Sequence, residues 1–156
     1  MDAYEAVEQH YAEMYGADTT SRVSIGDFFL SPTHPVNVKS NNVKKNNFAP
    51  NIMSASKLYD WLMKGNNLSF IFADYELVNG KVNILQDSGL VPIEHIKWDC
   101  LTIATQGLGV IQRCKPLMID SSQTREEFIG GMRAAYKVYI DKQRVKLDKL
   151  EEKFCR

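Results

Sequence analysis

The segment Leu68–Val78 constrains the fold more than any other stretch of the chain. Its first half is a continuous apolar run, which is typical of a strand in a sheet that is covered on both faces. Asn79-Gly80 follows it, and Lys81–Leu85 comes next, which is the pattern of a β-hairpin with a two-residue turn. The chain therefore has at its centre a sheet that other elements must cover.

Further strands are predicted on both sides of this hairpin, because short runs rich in β-branched and aromatic residues recur. They are Val23–Leu30, Val36–Lys39, Leu101–Ala104 and Gly109–Gln112. Two prolines separate the first two runs, so we expect neighbouring strands joined by a tight connection.

Helices are predicted where apolar residues recur at helical spacing. They are Asp2–Tyr15, Ser54–Met63 and Thr124–Phe154, the last opened by Ser122 or Thr124 with two glutamates in its first turn. With 44% apolar and 24% charged residues, the composition is that of an ordinary globular domain. We predict a single α/β (α+β) domain over residues 1–156, with a central mixed sheet flanked by helices.

Charge and cysteine content exclude several classes of protein. The chain has 19 basic and 19 acidic residues, so it is not a uniformly basic nucleic-acid protein. Its three cysteines lack the spacing of a disulfide framework or a zinc site. Acidic residues near the N-terminus and the lack of a long apolar stretch argue against export and membrane insertion. A cytoplasmic location without a membrane partner is the expectation.

The charge is unevenly distributed along the chain. No acidic residue lies between Asp27 and Asp60, whereas the first twenty residues contain acids but no lysine or arginine. Lysines can neutralise phosphates, asparagines can read adenine edges, and an aromatic ring can stack on bases. The candidate DNA contacts are Asn41, Asn42, Lys44, Lys45 and Phe48. The alternatives are a solvated lysine loop and, for the aromatic residue, a small hydrophobic anchor.

Three residues just before this group of candidate contacts have the chemistry of a phosphodiester-cleaving site. Asp27 and Asn37 offer oxygen atoms, which Mg²⁺ prefers, and Lys39 shares a strand face with Asn37 because side chains alternate. A lysine there could orient water or stabilise charge on the phosphate. The alternative is a strand-end aspartate and a surface lysine.

The same residues resemble a known family. Gly26–Leu30, Val36–Asn42 and Ala49–Ala55 are similar to the core motifs of the PD-(D/E)xK type II restriction endonucleases. This resemblance implies a restriction-endonuclease-like core and an enzyme that uses Mg²⁺, which Mn²⁺ can replace. Its expected activity is hydrolysis of double-stranded DNA at a short specific sequence by a homodimer.

The resemblance also assigns roles to residues. Asp27 would be the first metal ligand, the backbone of Val38 a further one, and Lys39 the catalytic lysine. Asn51 would lie in a loop that approaches the bases, and Phe48 would enter the duplex.

One departure from the family pattern concerns the metal. Asn37 stands where the family has a second acid, so the site loses a negative charge. Glu5 or Glu8 on the N-terminal helix is the candidate replacement. Otherwise the chain is a catalytically decayed nuclease-fold protein that still binds DNA, or an interaction domain that does not bind DNA.

Overall fold

The structure is a computed structural model that describes residues 2–17, 25–45 and 51–155. The chain is organised as two compact units. The first consists of Met1–Pro50 and Lys57–Ile93, and the second of Asn51–Ser56 and Glu94–Arg156. The assignment of residues 1–156 to one domain stays a prediction.

The described residues form three α-helices and eight strands. In chain order they are α1 (Ala3–Met14), β1 (Phe28–Ser31), β2 (His34–Asn42), β3 (Asn51–Ser54), α2 (Ala55–Met63), β4 (Ser69–Val78), β5 (Lys81–Asp87), β6 (Val91–Pro92), β7 (Leu101–Ala104), β8 (Val110–Arg113) and α3 (Arg125–Phe154). Short 3₁₀ turns lie at Ile93–His95, Trp98–Cys100 and Gln106–Leu108.

The first unit contains a five-stranded mixed sheet. Its strand order is β1-β2-β4-β5, and β6 pairs with the start of β4. β2 and β4 run parallel, with Asn37 opposite Phe70 and Lys39 opposite Phe72, whereas the other pairs are antiparallel. A parallel pair requires a crossover, and the chain from β2 to β4 passes through β3 and α2. The predicted mixed sheet with flanking helices is confirmed.

The central strand and its hairpin match the sequence prediction. Phe70 and Ile71 of β4 are fully buried, as expected for a strand covered on both faces. Asn79 and Gly80 both have positive φ angles, of 52° and 76°, which is the conformation of a type I′ turn. This turn leads directly into β5.

Helix α1 covers one face of this sheet. The buried cluster contains Val7, Tyr11 and Ala12 from the helix and Phe28, Val36, Val38, Ile71, Ala73 and Tyr75 from the strands. Because strand side chains alternate, Asn37 and Lys39 occupy the opposite face of β2 from Val36 and Val38. The core therefore fixes which face of β2 carries the candidate site residues.

The second unit combines a three-stranded antiparallel sheet with α3. Its strand order is β3-β8-β7. Thr124 begins α3 with a capping box, in which its side chain and that of Glu127 each accept a backbone N–H of the other. Trp98 packs on Phe128 with ring centroids 5.4 Å apart. The predicted strands and long helix in this part of the chain are confirmed.

Two predicted boundaries near the candidate site were wrong. β1 begins at Phe28, so Asp27 lies in a bend before the strand rather than within it, and Val23 lies outside the described residues. β2 extends to Asn42, although residues 40–42 were expected to begin a loop. They pair with residues 73–75 of β4, and this pairing overrides the low strand propensity of asparagine.

The remaining expectations concern cysteines and membranes. Cys100 is buried, Cys114 and Cys155 are exposed, and all three are free thiols. No helix within the described ranges is both long and apolar enough to cross a membrane.

Candidate functional site

Asp27 is held against β2 by two hydrogen bonds. Its backbone N–H donates to the carbonyl oxygen of Val36 at 2.8 Å, and its Oδ2 accepts the N–H of Val38 at 2.7 Å. The preceding residue permits this approach, since a Cβ on Gly26 would lie 2.5 Å from the Cβ of Pro35. The carboxylate is thereby fixed beside Asn37, one residue before Val38.

Lys39 is two residues further along β2. Burial lowers the pKa of its ammonium group, whereas the negative charges of Asp27 and Glu8 act on it in the opposite direction. Lys39 directly follows Val38, whose N–H donates to the Asp27 carboxylate. The roles that the sequence predicts for Asp27 and Lys39 stay predictions.

The two candidate glutamates of α1 differ in position. Glu8 is half-buried, and its negative charge acts on Lys39. It directly follows Val7, which packs in the core. Glu5 is exposed, and its backbone N–H donates to the N-cap carboxylate of Asp2 at 2.8 Å. Of the two glutamates, Glu8 is therefore the one whose charge acts on Lys39.

The cluster offers oxygen ligands to a hard cation. Asp27 and Glu8 carry carboxylates, Asn37 an amide oxygen and Val38 a backbone carbonyl, which are the donor types that Mg²⁺ prefers. Together with Lys39, the two carboxylates leave a net charge of minus one. The part of the chain that the structure describes contains no group of three or more His, Cys, Asp or Glu side chains placed to hold a metal ion. The roles of these residues as metal ligands stay predictions.

The cationic stretch of the sequence lies beside acids of β4 in the fold. Asn41 donates from Nδ2 to Oδ1 of Asp74 at 3.3 Å, and Lys44 Nζ lies 3.5 Å from Oε2 of Glu76. Gln86 also donates to Asp74, at 2.7 Å. The expectation of a cationic surface drawn from residues 28–59 alone was incomplete, because strand pairing brings in acids from a distant segment.

Two further predicted contacts are Asn42, the last residue of β2, and Lys45 in the turn that follows. Asn42 accepts the N–H of Lys44 with its side chain and the N–H of Lys45 with its carbonyl oxygen, both at 3.1 Å. The two lysines are exposed, with the Lys44 side chain 63% accessible. Phe48 lies outside the described residues.

Asn51 belongs to the second unit and begins β3, so the prediction that it lies in a loop was wrong. It pairs with Gln112 of β8, whose side chain donates to its Oδ1. Asn51 in turn donates to Gln106 at 3.2 Å. Sequence spacing gives no signal for this amide cluster, because 61 positions separate Asn51 from Gln112.

Together these features define a restriction-endonuclease-like fold. A mixed sheet has α1 on one face, a parallel pair joined through α2, and a charged cluster where the chain enters β1. Among solved structures, the chain is similar to the NlaIV restriction endonuclease, with a TM-score of 0.53 and 12% sequence identity. The match covers 84% of this chain and 63% of that chain, so this chain spans less than two thirds of its structural neighbour.

At this level of identity the similarity is one of fold. No family model matches the chain, and no curated protein matches it. The resemblance of the motifs to the PD-(D/E)xK family, and within it to the HincII restriction endonuclease, stays a prediction.

Proposed function

We propose that this chain is a Mg²⁺-dependent type II restriction endonuclease that hydrolyses double-stranded DNA at a short specific sequence. The observation that carries the proposal is the hydrogen bond that holds the Asp27 carboxylate against β2, between the positions of Asn37 and Lys39, in a restriction-endonuclease-like fold. The charges of Asp27 and Glu8 also act on Lys39. In metal-assisted phosphodiester hydrolysis, carboxylates can hold the divalent cation, and a half-buried lysine beside them can stabilise charge on the phosphate.

In this proposal the metal ligands come from the bend before β1, from β2 and from α1. Asp27, Asn37, the Val38 carbonyl and Glu8 would hold Mg²⁺, which Mn²⁺ can replace. When bound, such a cation neutralises phosphate charge and makes water a stronger acid. The hydrogen bond from Val38 N–H keeps the Asp27 carboxylate oriented for this purpose.

Lys39 has a separate role in the same proposal. Burial lowers the pKa of Lys39, so its ammonium group loses a proton more readily than that of a surface lysine. Nζ can therefore exchange a proton with the attacking water more easily. While protonated, it would stabilise the negative charge that grows on the phosphate.

Glu8 would compensate for the acid that Asn37 replaces. Two substitutions on α1 test this role, because Glu5 lies on the same helix but is exposed and does not act on Lys39. We expect Glu8→Gln to reduce metal-dependent cleavage by about 100-fold and Glu5→Gln to leave it unchanged. Equal effects of the two substitutions on cleavage would show that Glu8 is not a metal ligand.

The proposed DNA contacts are the residues that the sequence predicts for this role. They are Asn41, Asn42, Lys44, Lys45, Phe48 and Asn51. Phosphate contacts by the two lysines would make DNA affinity fall steeply with salt. A homodimer is part of the proposal, since symmetric cutting of both strands requires two active sites.

The experiment is incubation of the protein with mixed DNA sequences and Mg²⁺ or Mn²⁺. Discrete fragments that depend on the metal and disappear in Lys39→Ala are the expected result. Absence of cleavage with every divalent metal would overturn the nuclease proposal.

A second candidate function is metal-independent DNA binding by a decayed nuclease. Asn37 favours it, since the described residues present no cluster of three carboxylates. This candidate predicts salt-sensitive DNA retention that persists in Asp27→Ala. Asn37→Asp separates the two candidates, because a gain of cleavage indicates decay, whereas a loss of existing activity shows that the amide is functional.

A further inference from the structure

The last three turns of α3 extend beyond the packed part of the second unit. Every residue from Arg144 to Cys155 is exposed. Leu147, Leu150 and Phe154 are among them, with exposed fractions of 62%, 51% and 69%. Exposure of such large apolar side chains to water is unfavourable. On a helical extension that contacts little of the described chain, they indicate an interaction surface.

These apolar residues follow a heptad pattern. The seam consists of Ile140, Gln143, Leu147, Leu150 and Phe154, separated alternately by three and four residues. This spacing is that of the a and d positions of a coiled coil. Most of the remaining surface of this stretch is charged, as the solvent-facing side of such a helix would be. The pattern therefore points to another helix as the partner.

The charges beside the seam favour a second copy of this chain. With Leu147 at an a position, Lys146 occupies g and Glu151 occupies the following e position. In a parallel pair in register, Lys146 faces Glu151 of the partner subunit, and symmetry makes this contact twice.

An antiparallel arrangement has poorer charge complementarity. Alignment of Leu147 with Leu150 of the partner subunit would bring Arg144 near Glu151, but it would also bring Lys146 near Lys153. The attractive contacts are then offset by repulsive ones.

We propose that Ile140–Phe154 of α3 is a dimerisation surface that forms a short parallel coiled coil with a second copy of this chain. It supplies an interface for the homodimer that the proposed function assumes. Its test does not depend on DNA cleavage, because the readout is molecular mass. A monomer that cuts DNA would refute this surface and the proposed homodimer but not the cleavage chemistry, and a dimer that does not cut would refute the nuclease activity but not this surface.

The main test is sedimentation velocity of the full chain over a range of concentrations. Leu147→Glu places a charge in the seam and should weaken the dimer by about 100-fold or more. Val145→Glu is the matched control, because Val145 is 54% exposed on the same stretch but lies outside the seam. Its dissociation constant should equal that of the wild type. A wild-type monomer at every concentration, or a dimer that Leu147→Glu leaves intact, would overturn the proposal.

A charge exchange tests the partner and the register. Lys146→Glu and Glu151→Lys should each weaken the dimer about fivefold, and the double variant should regain most of the wild-type affinity. Failure of the double variant to recover would reject the parallel register.

A disulfide test determines the direction of the two helices. In a background of Cys114→Ser and Cys155→Ser, Phe154→Cys should oxidise to a linked dimer, since a parallel pair brings the two positions together. In the antiparallel alignment the two positions are displaced by roughly 16 Å along the helices. Absence of the linked species would therefore reject the parallel arrangement.

Discussion

Substitution of Asp27 separates its structural role from its chemical role. Asp27→Asn retains an oxygen that can accept the Val38 N–H but removes the negative charge, whereas Asp27→Ala removes both. Either change abolishes the metal site that we propose. The two variants should therefore be equally inactive but unequally stable.

The magnitude follows from the hydrogen bond to Val38. Val38 is 7% exposed, so an N–H that loses its partner there costs about 1–3 kcal/mol. The charged acceptor in the wild type is worth about 1 kcal/mol more than a neutral one. We expect Asp27→Ala to lower the free energy of unfolding by about 2 kcal/mol and Asp27→Asn by about 1 kcal/mol. Both variants lose the attraction to Lys39, so the difference isolates the hydrogen bond.

Thermal unfolding followed by circular dichroism measures this difference. In a chain of this size, 1 kcal/mol corresponds to about 2–4 °C in Tm. Asp27→Ala should therefore melt about 4–8 °C below the wild type, and Asp27→Asn about half as far. Equal Tm values for the two variants would refute the argument that the Val38 N–H holds the carboxylate in place.

Three further predictions concern the first unit. Lys39→Met should be more stable than the wild type near neutral pH, because burial lowers the pKa of Lys39 and its ammonium carries a desolvation cost. The desolvation cost applies in full at pH values below the pKa of Lys39 in the folded protein. It disappears as the pH rises to the pKa of an ordinary lysine, so the Tm values of the two proteins should converge in alkaline buffer. Gly80→Ala should cost about 1 kcal/mol in chemical denaturation, since φ at Gly80 is 76° and no nearby atom adds a clash. Tyr11→Phe removes the hydrogen bond of 2.7 Å to Asp87 and should cost about 1 kcal/mol, whereas an unchanged stability would show that this bond contributes nothing.

Much of the fold follows from local patterns in the sequence. The apolar run of β4, the turn at Asn79-Gly80 and the capping signal at Thr124 each act over a few residues, so composition and spacing identify them. The spacing of Asn37 and Lys39 places them on one strand face for the same reason.

Other features depend on pairing between distant segments. β2 extends through Asn42 because residues 40–42 pair with β4, which their own propensity does not predict. The same register places Asn41 opposite Asp74, so acids enter a stretch that is cationic in sequence. Asn51 joins β3 through its partner Gln112, a contact that the spacing of neighbouring residues does not reveal.

The central claim is that Lys39, with Asp27 and Glu8, forms a metal-dependent DNA-cleaving site. The most direct measurement is the rate of DNA cleavage by Lys39→Met and by the wild type, with Mg²⁺ and with excess chelator. Because Lys39→Met is expected to fold at least as stably as the wild type, a loss of cleavage cannot come from unfolding. If the proposed site cleaves DNA, we expect Mg²⁺-dependent fragments from the wild type and none from the variant. Cleavage by Lys39→Met at the wild-type rate, or cleavage by the wild type that persists in chelator, would contradict it.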